Sequence, residues 1–124
     1  PPLAEYLIVF RLAEQYLIRA EARMHKGDIQ GSISDLNIIR SRAGLPSLPV
    51  TLTPVQLATA IEQERRVELF CEWGHRWQDL KRTGRAGAVL STAKAPNWQS
   101  TDELYPIPAV EMQNNPFLTQ NPGY

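Results

Sequence analysis

Three glutamates at four-residue steps, Glu64, Glu68 and Glu72, are the densest chemistry-bearing pattern in this 124-residue chain. In a helix they stand one above another on nearly one face, with Arg65 and Arg76 close enough in the pattern to neutralise them. Stacked carboxylates suggest a metal centre, an acid–base pair or a set of ion pairs. A dinuclear carboxylate site wants Glu-x-x-His, and no histidine follows any of the three at that spacing; His25 and His75 stand alone. Glycoside hydrolysis needs two carboxylates flanking a sugar bond, at a separation that spacing along the chain does not reveal. His75 beside Arg76 and near Asp79 lacks a serine or cysteine nucleophile placed by local pattern. The 84–87 stretch, Gly-Arg-Ala-Gly, lacks the strand before it and the helix after it that a phosphate loop requires. On a segment this rich in arginine, the cluster Glu64, Arg65, Glu68, Glu72, Arg76, Asp79 and Arg82 reads as structural charge pairing, since buried carboxylates need charged and hydrogen-bonding partners. Cys71, inside the same segment, is expected to be a buried structural thiol. Trp98 sits apart in a polar stretch, where it either anchors its loop by packing or offers an aromatic face to a sugar or a protein. No metal, cofactor or catalytic residue is assigned.

Apolar residues interleave with those charges: Ile61, Val67, Leu69, Phe70 and Trp73, continued by Trp77 and Leu80. The segment therefore has no wholly polar face, and some of its charges are expected to be buried. The capping signals upstream are strong. Thr53-Pro54-Val55-Gln56 offers Thr at the N-cap, Pro where its missing donor is harmless, and Gln to close a capping box. The predicted third helix runs from there to Trp73, bends at Gly74, and continues for about two turns to Arg82 before Thr83-Gly84 end it. Before it, Ala13, Leu17, Ala20 and Met24, widened by Tyr16, predict a helix from Arg11 to the 25–27 region. Leu3 to Phe10 is nearly all apolar and is either its beginning or an extended lead-in. Gly27 can end that helix in the left-handed conformation, and Asp28 caps the next, which runs through Ile33, Leu36 and Ile39 to about Arg42 and stops at Gly44 and Pro46. Residues 45–52 are a connector.

Beyond Gly84 the composition changes. Residues 85–104 are mostly small and polar and predict a mobile or irregular segment, pinned by Leu90 and Trp98. Pro106, Pro108, Pro116 and Pro122 then exclude a long helix or a central strand and predict an extended cap with one short turn over 109–112. The expected class is all-α: a tetratricopeptide-like helical hairpin (1–44), a charged bent helix (53–84), and a loop with an extended, proline-rich cap (85–124), together forming one domain or part of one.

With 13 basic and 13 acidic residues the formal charge is zero, which gives no field to steer nucleic acid or an anionic bilayer. No apolar run approaches the length of a membrane span. The single cysteine excludes an intrachain disulfide.

Four stretches together resemble the SusD/RagB family of outer-membrane nutrient-binding lipoproteins, in the family's own order. They are RLAEQYLIRAEA at 11–22, LNIIRSRAGLP at 36–46, ERRVELFCEWGHRWQDLKRTG at 64–84 and LYPIPAVEMQNNPFLTQNPGY at 104–124. The resemblance implies the C-terminal section of a protein several times longer, which captures oligosaccharides without turnover for a TonB-dependent transporter. It implies a lipid anchor in the outer membrane, borne by an N-terminal cysteine outside these residues. Glu64, Arg65, Glu68, Glu72, Gly74, Arg76, Asp79, Leu80 and Arg82 match the family's central motif as fold-defining residues. A second reading of the first hairpin is a tetratricopeptide-like module that binds protein, and a helical array cut from its neighbours is expected to self-associate.

Overall fold

A computed structural model describes residues 8–124, so the expectation for Leu3–Phe10 lies mostly outside the described residues; Ile8 to Phe10 are not helical. The described chain is all-α, with six helices, one 3-10 turn and no strand. The helices are α1 (Leu12–His25), α2 (Ile29–Arg42), α3 (Pro54–Glu68), α4 (His75–Arg82), α5 (Ala86–Ala93) and α6 (Ala109–Asn114), with the 3-10 turn over Ser100–Glu103. Two compact units divide the chain between Arg76 and Trp77.

In residues 1–76 the core is built where the apolar periods of three helices meet. Leu17 and Ala20 of α1, Ile33, Leu36 and Ile39 of α2, and Leu57, Ile61 and Leu69 from α3 and its end form one buried cluster, ringed by Tyr16, Met24, Ile29, Leu48, Leu52 and Ala60. The caps that define these helices are local and formed. Asp28 accepts from the Gly31 amide at 2.9 Å, after Gly27 has turned at φ +81°. Thr53 and Gln56 close their capping box, with Gln56 N–H donating to Thr53 Oγ1 at 3.3 Å and Thr53 N–H to Gln56 Oε1 at 2.9 Å. The connector is tied down by side chains of α2: Leu48 N–H donates to Asn37 Oδ1 at 2.8 Å, Arg40 Nε to the Pro46 carbonyl at 2.9 Å, and Gln30 Nε2 to the Val50 carbonyl at 2.9 Å. Two prolines leave that stretch little backbone pairing of its own, and the side chains supply it.

The third helix departs from expectation. It ends at Glu68 rather than Trp73, because Arg11 donates through Nη1 to the Glu68 carbonyl at 2.9 Å, the acceptor a further turn would use. The Glu72 amide bonds the Leu69 carbonyl instead, at 3.2 Å. Cys71, Trp73 and Gly74 then take positive φ, at 57°, 42° and 74°. This turn carries Cys71 to the surface, so it is not the buried thiol the sequence suggests. Val67, Phe70 and Trp73 are also exposed, at 60%, 74% and 57%.

Residues 77–124 hold the rest of α4, then α5, the 3-10 turn and α6. The stretch after Gly84 is more regular than its polar composition predicts. Ala86, Ala88 and Ala93 have the highest helix propensity of any residue, and a buried Ala86 anchors α5. The short turn expected over 109–112 is α6, which continues to Asn114.

Candidate functional site

Three groups of side chains stand out, two in the first unit and one in the second. In the first, the ladder carboxylates draw their cations mainly from other elements. Arg40 of α2 pairs with Glu64, whose side chain is about 10% exposed. Arg42 of α2 grips both oxygens of Glu68 at 2.6 and 2.7 Å, and Arg11 joins Glu68 to Glu72. Arg76 serves Glu62 at 2.9 Å rather than the ladder, Arg65 is buried, and His75 lies 3.7 Å from Glu14 of α1. Because α3 ends at Glu68, Glu72 does not continue the helical face; Arg11 is what brings it back beside Glu68. Planar guanidinium forks suit this work, as each can bridge two acceptors while staying charged at any working pH. Glu68 accepts from two arginines, while Glu64 and Glu72 each accept from one guanidinium, so every rung of the ladder is ion-paired.

Sequence reasoning missed a second charged group in the same unit. Asp35 of α2 is 1% exposed. It accepts from Arg19 Nε at 2.9 Å, Arg19 Nη2 at 2.7 Å and Arg23 Nη1 at 2.8 Å, both arginines lying one turn apart on α1. The hydrogen bonds to Asp35 hold the Arg19 guanidinium above its ordinary range; desolvation opposes them, while the Asp35 charge and, less, Tyr16 reinforce them. The signal was there: Asp35 sits in the row Ser32, Leu36, Ile39 that faces the core, and a carboxylate in such a row requires cations on the facing helix. Arg19 also lies over the Tyr16 ring, 5.1 Å from its centroid.

In the second unit, Asp79 is buried and is bonded by Arg82 Nε at 2.8 Å. Trp98 packs edge-on against Trp77, ring centroids 6.4 Å apart and planes at 72°, and Tyr105 meets Trp77 in the same manner at 6.3 Å and 79°. Lys81 holds its ammonium 5.3 Å from the Trp77 centroid and donates to the Glu103 carbonyl. The last residues of the chain fasten the segment that carries Tyr105. Gln120 pairs with Ile107 as a strand would, accepting from its N–H at 2.7 Å and donating to its carbonyl at 2.9 Å. Asn121 donates to the Tyr105 carbonyl at 2.7 Å, and the Tyr124 hydroxyl to the Leu104 carbonyl at 2.8 Å.

Among the described residues no group of three or more His, Cys, Asp or Glu side chains is placed to hold a metal ion, and no helix is long and apolar enough to cross a membrane.

Comparison with known proteins is consistent across sequence and structure. The sequence model of the SusD family matches residues 3–98. The starch-binding protein SusD of Bacteroides thetaiotaomicron is 35% identical over 94% of this chain, and a SusD-like protein of Formosa agariphila is 33% identical over 95% of it. Among solved structures, a SusD superfamily protein from Bacteroides vulgatus superposes with a TM-score of 0.77 at 31% identity over 93% of this chain. A SusD-like protein from Bacteroides fragilis does so with 0.76 at 31% over 94%. The chain spans 21% and 24% of the two curated relatives, and 27% and 26% of the two solved chains.

Proposed function

The chain belongs to the SusD family, and from that premise we propose that it is the C-terminal part of a non-catalytic glycan-binding lipoprotein. In that reading the whole protein is lipid-anchored at the surface of the outer membrane and captures oligosaccharides for a TonB-dependent transporter. The observation that carries the proposal is the 35% identity, sustained over 94% of the chain, to a protein named for binding starch. Within it, the described part of the 1–44 segment is read as a tetratricopeptide-like hairpin, 53–84 as two charged helices joined by a turn and 85–124 as a cap, together one C-terminal domain. Glu64, Arg65, Glu68, Glu72, Arg76, Asp79 and Arg82 serve the fold, and Trp98 is the first candidate to touch sugar. Carboxylates engaged by guanidinium groups support a scaffold role over acid–base work, which needs a proton free to move.

A second reading, a helical module that binds protein, has one observation in its favour. The outward side of α1 exposes Leu12 and Ile18, at 73% and 48%, beside Gln15, Tyr16 and Arg19 around a shallow cavity of about 370 Å3.

Titration of the longer parent protein with oligosaccharides, with product release followed by chromatography, separates the readings. Saturable binding without cleavage is expected. Binding of peptide alone would favour the protein-binding module, and released sugar would overturn both.

A further inference from the structure

We propose that residues 8–11 are a strap that holds α3 short, and that residues 69–73 join the helix when the strap lifts. The device lies wholly within the first unit and stands whether or not the parent protein binds glycan.

Two donors compete for one acceptor. In an uninterrupted α-helix the Glu72 amide would donate to the Glu68 carbonyl. Here Arg11 Nη1 occupies that carbonyl at 2.9 Å, and the Glu72 amide moves one residue along, to the Leu69 carbonyl at 3.2 Å. The same guanidinium pairs with the carboxylates of Glu68 and Glu72, so it grips both sides of the break. A second fastening is the Trp73 indole, which donates to the Ile8 carbonyl at 3.4 Å. The strap itself is not helical: Arg11 has φ −118° and ψ 142°, and its backbone turns into α1 only at Leu12.

The residues that follow Glu68 are themselves suited to a helix. Leu69-Phe70-Cys71-Glu72-Trp73 contains neither proline nor glycine. Leu57, Ile61, Arg65 and Leu69 recur at four-residue steps and all are buried, so Leu69 already lies on the core side of α3. The local stop signal comes later: Gly74, at φ +74°, has the left-handed conformation that follows a helix ending at Trp73. The broken form, by contrast, puts Cys71 and Trp73 at φ 57° and 42°, a conformation that residues with side chains rarely adopt. Local preference therefore favours the longer helix, and the long-range contacts of Arg11 favour the turn. Opposed terms of this kind make a two-state element, and the seating of residues 8–11 sets its balance.

The test follows the Cα chemical shifts of residues 69–73 by NMR in the whole chain. Arg11→Met keeps an unbranched stem and removes every donor. In that variant the shifts are expected to move to helical values, with the population of the longer helix rising about tenfold or more. Adding Cys71→Gly should reverse the change, because glycine accepts positive φ and weakens a helix. Should Arg11→Met fail to fold, Arg11→Lys decides by the same shifts: its ammonium lacks the planar fork that spans the carbonyl and the two carboxylates, and a partial move towards helix is expected. Shifts that stay as in the unmodified chain would show that the turn needs no strap. Shifts that go to random-coil values would show that the segment frays instead of joining α3. Either result overturns the proposal.

Discussion

A carboxylate with 1% of its surface exposed can persist only if the charge taken out of water is met by others, and Asp35 meets two guanidinium groups through three hydrogen bonds. Asp35→Ala leaves Arg19 and Arg23 without their acceptor, and a loss of about 3–5 kcal/mol is expected, measured by urea unfolding. Glu68 is held by cations of similar exposure, Arg11 and Arg42 at 30% and 58% against Arg19 and Arg23 at 53% and 35%, but its own side chain is 11% exposed where that of Asp35 is 1%. Solvent screens such a pair, so Glu68→Ala should cost less, about 1–3 kcal/mol. Equal losses at the two sites would mean that burial does not set the cost of losing a carboxylate. From sequence, the Glu64, Glu68 and Glu72 pattern was conspicuous and Asp35 was not, because spacing along one helix reveals like charges more readily than a single charge facing cations on another.

Element boundaries set by neighbours in the chain were legible, and those set by distant residues were not. The Asp28 cap, the Gly27 turn and the Thr53 box each depend on groups within a few residues, and α1 and α2 begin and end close to where their patterns place them. The end of α3 depends on Arg11, 57 positions away, and no local pattern at Glu68 announces it. The turn that follows is held in a conformation side chains rarely adopt. Gly74 at φ +74° has open space where a Cβ would go, so Gly74→Ala would suffer from the backbone alone. A loss of about 1–2 kcal/mol is expected in denaturant unfolding, and no loss would mean that the turn relaxes to another conformation. The α5 stretch was misread for a different reason. Small residues suit both irregular loops and close-packed helices, and burial of Ala86 selects the second.

At the scale of the whole molecule, the first unit buries eight residues in one cluster. The apolar residues buried in the second are Leu80 and Ala86. A small core opens at lower free energy, so backbone amides of α5 and α6 are expected to exchange with deuterium faster than those of α1 to α3. Equal protection in both units would show that they unfold together. We also propose self-association: the open side of α1, with Leu12 at 73% and Ile18 at 48% exposed, is a face that a second copy could cover. Sedimentation velocity should show concentration-dependent association that Ile18→Lys weakens, and a monomer at high concentration would refute it.

The position of Cys71 has a practical consequence. A lone thiol, exposed two residues from the exposed indole of Trp73, is a unique attachment point for a maleimide dye on the folded chain. Indoles quench many such dyes on contact, so the brightness of a label there would report whether the turn that follows α3 keeps its shape or opens. Kept in air without reductant, the same sulfur would link chains in pairs. A covalent dimer formed in that way has to be removed before any measurement of reversible assembly.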